Sequence, residues 1–199
     1  MGNRGLRVMK PADLKTYYQY IKKDFPRGEY PPYEILLQQF CDGRQQGFIL
    51  HDRGRDLAYA ICTGDGDYVL ISLLAVLPEW RGQGIGSELL KSLQGHYEDR
   101  SGLIAEVERP ELAGNQEERR IRLSRLGFYR QAGFYLIAGI DYTIWGVPMH
   151  LMACPLQKDI NVIFGSIESI MYEIYLKLAG PQFIHNLSIN RIGSGDNQN

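Results

Sequence analysis

Six consecutive residues near the middle of the chain, Arg81-Gly82-Gln83-Gly84-Ile85-Gly86, have the types and spacing best suited to chemistry. They follow the apolar run Val69-Leu70-Ile71-Ser72-Leu73-Leu74-Ala75-Val76 and open a helical pattern in which Ile85, Leu89, Leu90 and Leu93 share a face. Glycines at such a turn admit positive φ and let a ligand approach without a Cβ in the way. The helix behind them offers the free amides of its first turn, Ile85, Gly86 and Ser87, together with its positive dipole end. A phosphate or pyrophosphate suits this arrangement, with Arg81 able to add a charge-assisted contact. A P-loop would need Gly-Lys-Ser/Thr, which is absent, and the spacing of Gly82, Gly84 and Gly86 does not fit a dinucleotide fingerprint. The bland alternative is a structural strand-to-helix turn.

The elements that must hold this turn follow from periodicity. A short strand over Leu6–Met9 leads to Pro11 at a helix start and a helix through Asp13–Lys23. An aromatic and proline-rich loop, Phe25 to Tyr33, precedes a second helix over Tyr33–Gly43 with Ile35, Leu36 and Phe40 on one side. Phe48–His51 and Leu57–Cys62 form a hairpin around Asp52-Arg53-Gly54-Arg55. Tyr68–Leu77 is apolar enough for a central strand buried on both faces. A further strand spans Leu103–Val107, and a polar stretch from Glu108 to Glu118 feeds a helix that Gly133 stops. Phe134–Trp145 and Val147–Cys154 pair about a turn at Gly146-Val147-Pro148. Ile160, Ile163, Ile167, Ile170, Met171, Ile174 and Leu178 recur at helical spacing. One α/β domain over 1–155 is therefore expected, with a helical extension over 156–192 and a disordered tail over 193–199 beginning near Ser194.

Composition narrows the functional classes. The 199 residues are 44% hydrophobic and carry a formal net charge of −1, so no bulk field favours nucleic acid or an anionic membrane. Neither is expected as a partner. Cys41, Cys62 and Cys154 are far apart and without ligand spacing, which predicts buried free thiols and no metal. The start lacks a secretory pattern and no apolar run reaches spanning length, so the expected compartment is the cytoplasm. His51, His96, His150 and His185 are isolated, and nucleophilic catalysis by a triad is not supported.

Arg-x-x-Gly-x-Gly after a strand resembles the pyrophosphate loop of the GCN5-related N-acetyltransferase (GNAT) superfamily. Leu74-Ala75-Val76-Leu77-Pro78-Glu79 is similar to the stretch that precedes that loop. Phe128-Tyr129-Arg130-Gln131-Ala132-Gly133-Phe134 resembles the later Tyr-x-x-x-Gly-Phe element. The resemblance covers the body of the chain, from about Leu6 to Cys154 by element order, and leaves the C-terminal helix outside. It implies a mixed, mostly antiparallel sheet of about seven strands with a splayed central strand, flanked by helices.

The same resemblance implies N-acetyl transfer from acetyl-CoA to the primary amine of a small molecule or peptide, directly in a ternary complex. A backbone bulge in the central strand would bind pantetheine and the thioester carbonyl through Leu74 and Val76. Arg81, Gly82, Gln83, Gly84, Ile85, Gly86 and Ser87 would hold the diphosphate. Tyr129 matches the tyrosine near the coenzyme A sulfur and is the expected acid for the leaving thiolate. The base is less constrained: the central strand offers Ser72 and no carboxylate, whereas Ala105-Glu106-Val107 resembles a Leu-Glu-Val element with the base in the middle. Strand alternation puts Glu106 and Glu108 on one face. The alternative for Glu106 is to orient substrate or bond a neighbouring backbone group.

Two departures from the family stand out. Glu108, Glu111, Glu117 and Glu118 crowd the long turn, as an acidic rim for a cationic amine or as a solvated face. Arg122 stands where many relatives have an asparagine on pantetheine, so Arg122 or Arg125 would reach a phosphate instead. Tyr30 and Tyr33 either wall the acceptor pocket or staple two helices. The rival function is a non-catalytic acyl-CoA sensor or interaction module on the same fold, and a second rival transfers a longer acyl group. The terminal helix caps the core or forms a homodimer contact.

Overall fold

The chain reverses at Arg53 and Gly54 with φ of 49° and 79°, the left-handed pair that matches the twist of a two-residue hairpin. That turn joins β2 (Gln45–Asp52) to β3 (Arg55–Thr63), and the sheet grows from it on both sides. The computed structural model describes residues 4–63 and 66–192; the tail over 193–199 lies outside the described residues. β1 (Arg4–Met9) pairs with β2, and β4 (Tyr68–Val76) pairs with β3, both antiparallel. After β4 the chain crosses through α3 (Ile85–His96) and returns as β5 (Gly102–Glu108), parallel to β4. The helical crossover is what permits a parallel pair here.

Beyond β5 the sheet continues with β8 (Val147–Pro155), β7 (Ile140–Ile144) and β9 (Leu187–Arg191), in the order β1-β2-β3-β4-β5-β8-β7-β9, and the two-residue β6 (Tyr135–Leu136) also pairs with β8. Among the described residues the sheet has nine strands rather than about seven. The expected single strand over Phe134–Trp145 is two pieces, because Gly139 takes φ 72° between them. The turn that follows sits at Trp145-Gly146, with φ of 51° and 78°, one residue earlier than the sequence pattern suggests. Within 156–192, expected to be helical, residues Leu187–Arg191 add β9 to β7.

Three apolar layers hold the sheet. On one face, Leu89, Leu90 and Leu93 of α3 and Leu126 of α4 (Gln116–Gln131) pack on Phe48, Ala60, Val69 and Ala105. On the other face, α1 (Pro11–Asp24) and α2 (Tyr33–Cys41) cover β1 to β4 through Leu14, Ile21 and Leu36. The same face over β5, β7 and β8 is covered by α5 (Ile160–Ala179), whose Ile163, Ile167, Met171 and Ile174 meet Leu70, Ile104 and Leu151. Asp159 caps α5 by accepting from the Asn161 amide at 2.8 Å. Ile167 is fully buried, so Ile167→Ala is expected to cost about 2–5 kcal/mol and lower the melting temperature by about 5–15 °C, read by scanning calorimetry.

Two expectations fail locally. Ile35 is 46% exposed, because α2 buries Leu36 and Gln39 and turns Ile35 to the cavity described below. Cys41, at the last position of α2, is exposed, while Cys62 and Cys154 are buried free thiols. No described helix is long and apolar enough to cross a membrane.

Candidate active site

The centre of the site is a defect in β4. Its register with β3 runs Ile61↔Leu73 and then Cys62↔Ile71, so Ser72 is an extra residue, a β-bulge. Beyond it the Leu77 amide donates to Leu57 O at 3.0 Å. Hydrogen-bonded pairs alternate along an antiparallel ladder, which makes Tyr59/Ala75 and Ile61/Leu73 the paired positions. The backbones of Leu74 and Val76 therefore turn to the opposite side, toward β5. There the β4–β5 register ends at Ile71↔Ala105. Among the described residues, the amides of Leu74 and Val76 have no strand partner, and both residues line the cavity between the parting strands. Burying unpaired amides is costly, so this gap is suited to a ligand carrying carbonyl acceptors.

The glycine turn follows directly. Gly82 and Gly84 have φ of 73° and 77°, and a Cβ at either would meet only open space. Gly84 caps α3 with no side-chain hydrogen bond. The first intrahelical bond runs from the Glu88 amide to Gly84 O at 3.2 Å, which leaves the amides of Ile85, Gly86 and Ser87 unpartnered among the described residues. The acid of this turn, Glu88, is paired with Arg4. Gly86 is needed for closeness: a Cβ there would come within 3.1 Å of the Phe128 ring and 3.4 Å of Val76 Cγ2. The Gln83 side chain donates through Nε2 to Glu79 O at 3.1 Å and ties the loop to its own start. Positive φ and uncapped amides fit a diphosphate. Arg81 stands differently from expectation: it bonds Asp24 Oδ1 at 2.6 Å and Val76 O at 3.0 Å. Its fork braces the loop against α1, so the groups left open at the turn are amides.

A cavity of about 900 Å³ opens beside this loop, with Arg81 and Val76 on its wall and Gly82 to Ser87 beyond its edge. Glu106 of β5 faces into it. The hydroxyls of Tyr142 on β7 and Tyr175 on α5 both donate to Glu106 Oε1, the latter at 2.8 Å. Burial pushes the Glu106 carboxyl above its ordinary range, against the two phenols, which pull it down. Such a carboxyl is a better proton acceptor near neutrality than an exposed one. Glu29, on the 3-10 turn Arg27–Glu29 between α1 and α2, lines the same cavity and is likewise raised by burial, countered by Arg125 and reinforced by Glu106.

Tyr129 also lines the cavity, near the end of α4, with its ring edge-on to Phe128 and Phe134 at 5.2 Å. Burial holds its phenol well above the usual range, so it stays protonated at neutral pH. Among the described residues its hydroxyl has no hydrogen-bond partner. Glu108 does not share the environment of Glu106. It pairs with Arg125 and, at 3.6 Å, with Arg122, so neither arginine is free for a phosphate. The other acids of the long turn are engaged as well: Glu111 with His150 at 3.1 Å, Glu117 with Arg120 at 2.7 Å, and Glu118 on the Gly114 amide at 2.7 Å. Asn115 caps α4 through the Glu118 amide at 2.8 Å. The turn is a capped helix start and solvated face, of which Glu108 alone reaches the cavity.

The aromatic loop staples two helices and lines part of the cavity, Tyr33 taking only the first role. The Tyr18 ring stands edge-on to Tyr30 at 5.8 Å and Tyr33 at 5.3 Å, joining α1 to α2, while Phe25, Tyr30 and Pro32 wall the cavity. Glu29, Tyr142 and Tyr175 escape the sequence pattern. Tyr175 left one trace: it lies four residues after Met171 and three before Leu178 on an apolar stripe, a phenol where only packing is required. Gln39 and Gln45, both buried, line the cavity with their Oε1 atoms unpartnered. Among the described residues no group of three His, Cys, Asp or Glu side chains is placed to hold a metal.

Comparison with known proteins agrees with this geometry. Residues 43–136 match the family model described as an acetyltransferase (GNAT) domain, and no curated protein matches the sequence significantly. A structure from Bacteroides thetaiotaomicron, described as an acetyltransferase from the GNAT family, superposes with TM-score 0.69 at 21% identity, covering 88% of this chain and 98% of the other. The ribosomal-protein-S18-alanine N-acetyltransferase from Escherichia coli gives TM-score 0.56 at 23% identity, covering 78% and 96%. An aminoglycoside acetyltransferase in complex with coenzyme A and kanamycin gives 0.58 at 18%, covering 78% and 96%. The bulged β4 and the glycine turn both lie within residues 43–136, so the stretch that holds the site is similar to the GNAT acetyltransferase domain, and the chain shares the fold of these solved structures.

Proposed function

We propose that the protein transfers an acetyl group from acetyl-CoA to a primary amine of a small molecule or peptide, directly within a ternary complex. The observation that carries this reading is the continuity of two sets of free amides, Leu74 and Val76 on the bulged strand and Ile85 to Ser87 at the helix start, with a cavity holding Glu106 and Tyr129. When bound, acetyl-CoA supplies the activated acetyl group as a thioester. The amides of Ile85, Gly86 and Ser87 bind its diphosphate, and those of Leu74 and Val76 bind carbonyl oxygens, including the one on which negative charge develops. Glu106 takes a proton from the entering ammonium, directly or through water, so that the nitrogen lone pair is free to attack. As the C–N bond forms and the C–S bond breaks, the nitrogen gives up its second proton to the departing sulfur, and the Tyr129 hydroxyl relays it by donating to that sulfur and being reprotonated from the nitrogen. A phenol of raised pKa suits this role as a hydrogen-bond donor that does not ionise beforehand.

Isothermal calorimetry with coenzyme A tests the binding half. Gly84→Val puts a β-branched residue at φ 77°, where it is strained, and is expected to weaken coenzyme A by about tenfold or more. Unaltered affinity in that variant, or no uptake by the native protein, removes the reading. Release of free thiol from acetyl-CoA in the presence of a mixed amine panel separates a catalyst from a non-catalytic binder.

A further inference from the structure

We infer that Tyr175, supplied by the C-terminal helix α5, is a positioning residue for Glu106 and makes that helix part of the acceptor half of the site. The inference rests on Glu106 being the base. Both protein donors to the carboxylate, Tyr142 and Tyr175, converge on Oε1. Oε2 has no donor among the described residues, and Glu106 lines the cavity. Two donors on one oxygen fix the carboxylate plane and leave Oε2 as the oxygen that meets the amine. They also bond to the ionised form, which keeps a buried carboxyl able to ionise.

The two donors arrive on different elements. Tyr142 is on β7 and fully buried, whereas Tyr175 comes from α5; both lie beyond residues 43–136, the span that matches the family model. The placement of Tyr175 is itself braced. Three residues further along α5, Leu178 O accepts from Gln39 Nε2 at 3.0 Å and from Arg44 Nη1 at 2.9 Å. The end of α5 is thus fastened to α2 and to the turn just before β2. A helix serving only to cover the sheet needs apolar residues at this face, and Ile163, Ile167 and Met171 meet that need; it does not need a phenol aimed at a carboxylate. The other charged or titratable groups lining the same cavity are Lys23 and Asp24 from α1, Glu29 and Tyr30 from the α1–α2 loop, Arg44 just before β2, Arg81 at the glycine turn, Arg125 and Tyr129 from α4, and Glu108 on β5, which is engaged by Arg122 and Arg125.

Tyr175→Phe keeps the ring and its packing and removes one donor. Full-length protein carrying 13C-labelled glutamate side chains reports the ionisation of Glu106 by NMR, with Glu106→Gln assigning the resonance and no acceptor needed. The Glu106 midpoint is expected to rise by about one pH unit in Tyr175→Phe, and Tyr142→Phe should move it in the same direction. With an amine that is turned over, the acid-side limb of kcat/KM moves up with the midpoint. The KM for acetyl-CoA stays near that of the native protein. An unmoved midpoint in Tyr175→Phe, or an activity loss uniform across pH, overturns the inference. Full activity in Glu106→Gln would instead dismiss Glu106 as the base, and the NMR midpoints would still decide whether Tyr175 governs it.

Discussion

Glu106→Gln is expected to lower kcat/KM for the acceptor amine by about 10²- to 10⁴-fold while leaving coenzyme A affinity unchanged. The amide is close to isosteric, and its carbonyl oxygen can still accept from Tyr142 and Tyr175, so packing around β5, β7 and α5 is preserved. What disappears is the ability to take a proton. The sign of the pH effect follows from the same carboxyl. Glu106 must be ionised to act, and burial sets its titration above the ordinary carboxylate range. Native activity should therefore rise with pH through that raised midpoint and level off above it. In Glu106→Gln the limb should be missing, leaving a low rate that depends on pH only through the amine itself. A profile with the same limb in both proteins would assign the limb to another group, and Glu29, also raised by burial in the same cavity, is the next candidate to substitute.

How much of this site the sequence displays depends on whether a feature is local. The glycine turn is legible because its demands are local: positive φ at Gly82 and Gly84 and a close approach at Gly86 restrict those positions whatever surrounds them. Tyr129 and Glu106 are legible through short motifs on single elements. Their environments are not. The phenols that hold Glu106 stand 36 and 69 residues further along the chain, and no short-range pattern announces a contact made by sheet order. Arg81 illustrates the converse error. A cation at an anion-binding turn suggests a phosphate contact, but Asp24, 57 residues earlier, arrives from α1 and takes it. The acids from Glu108 to Glu118 suggest an electrostatic rim, yet helix capping and neighbouring arginines engage them. β9 and the break between β6 and β7 are hidden for a different reason. Leu187–Arg191 is a short edge strand whose pairing with β7 is settled by α5 bringing the chain back, and Gly139 interrupts an otherwise continuous apolar pattern.

Tyr129→Phe should separate chemistry from binding more sharply than any other single change in the cavity. The hydroxyl is one oxygen on a ring packed between Phe128 and Phe134, and its loss removes no hydrogen bond from the protein among the described residues. The variant should fold as the native protein does, and coenzyme A affinity should change by less than about twofold, because the amides proposed to hold the diphosphate, Ile85 to Ser87, belong to α3. Turnover should fall by about 10²- to 10³-fold. The physical reason is that a thiolate leaving into a buried cavity has little water to solvate it. A phenol that burial keeps protonated is the donor nearest in kind to what the sulfur needs. A small effect would mean that the departing sulfur is solvated from the open side of the cavity. The dependence on leaving-group acidity distinguishes the two cases. With acetyl thioesters of more acidic thiols, the deficit of Tyr129→Phe should shrink if the hydroxyl stabilises the leaving sulfur, and should stay constant if the ring merely shapes the wall.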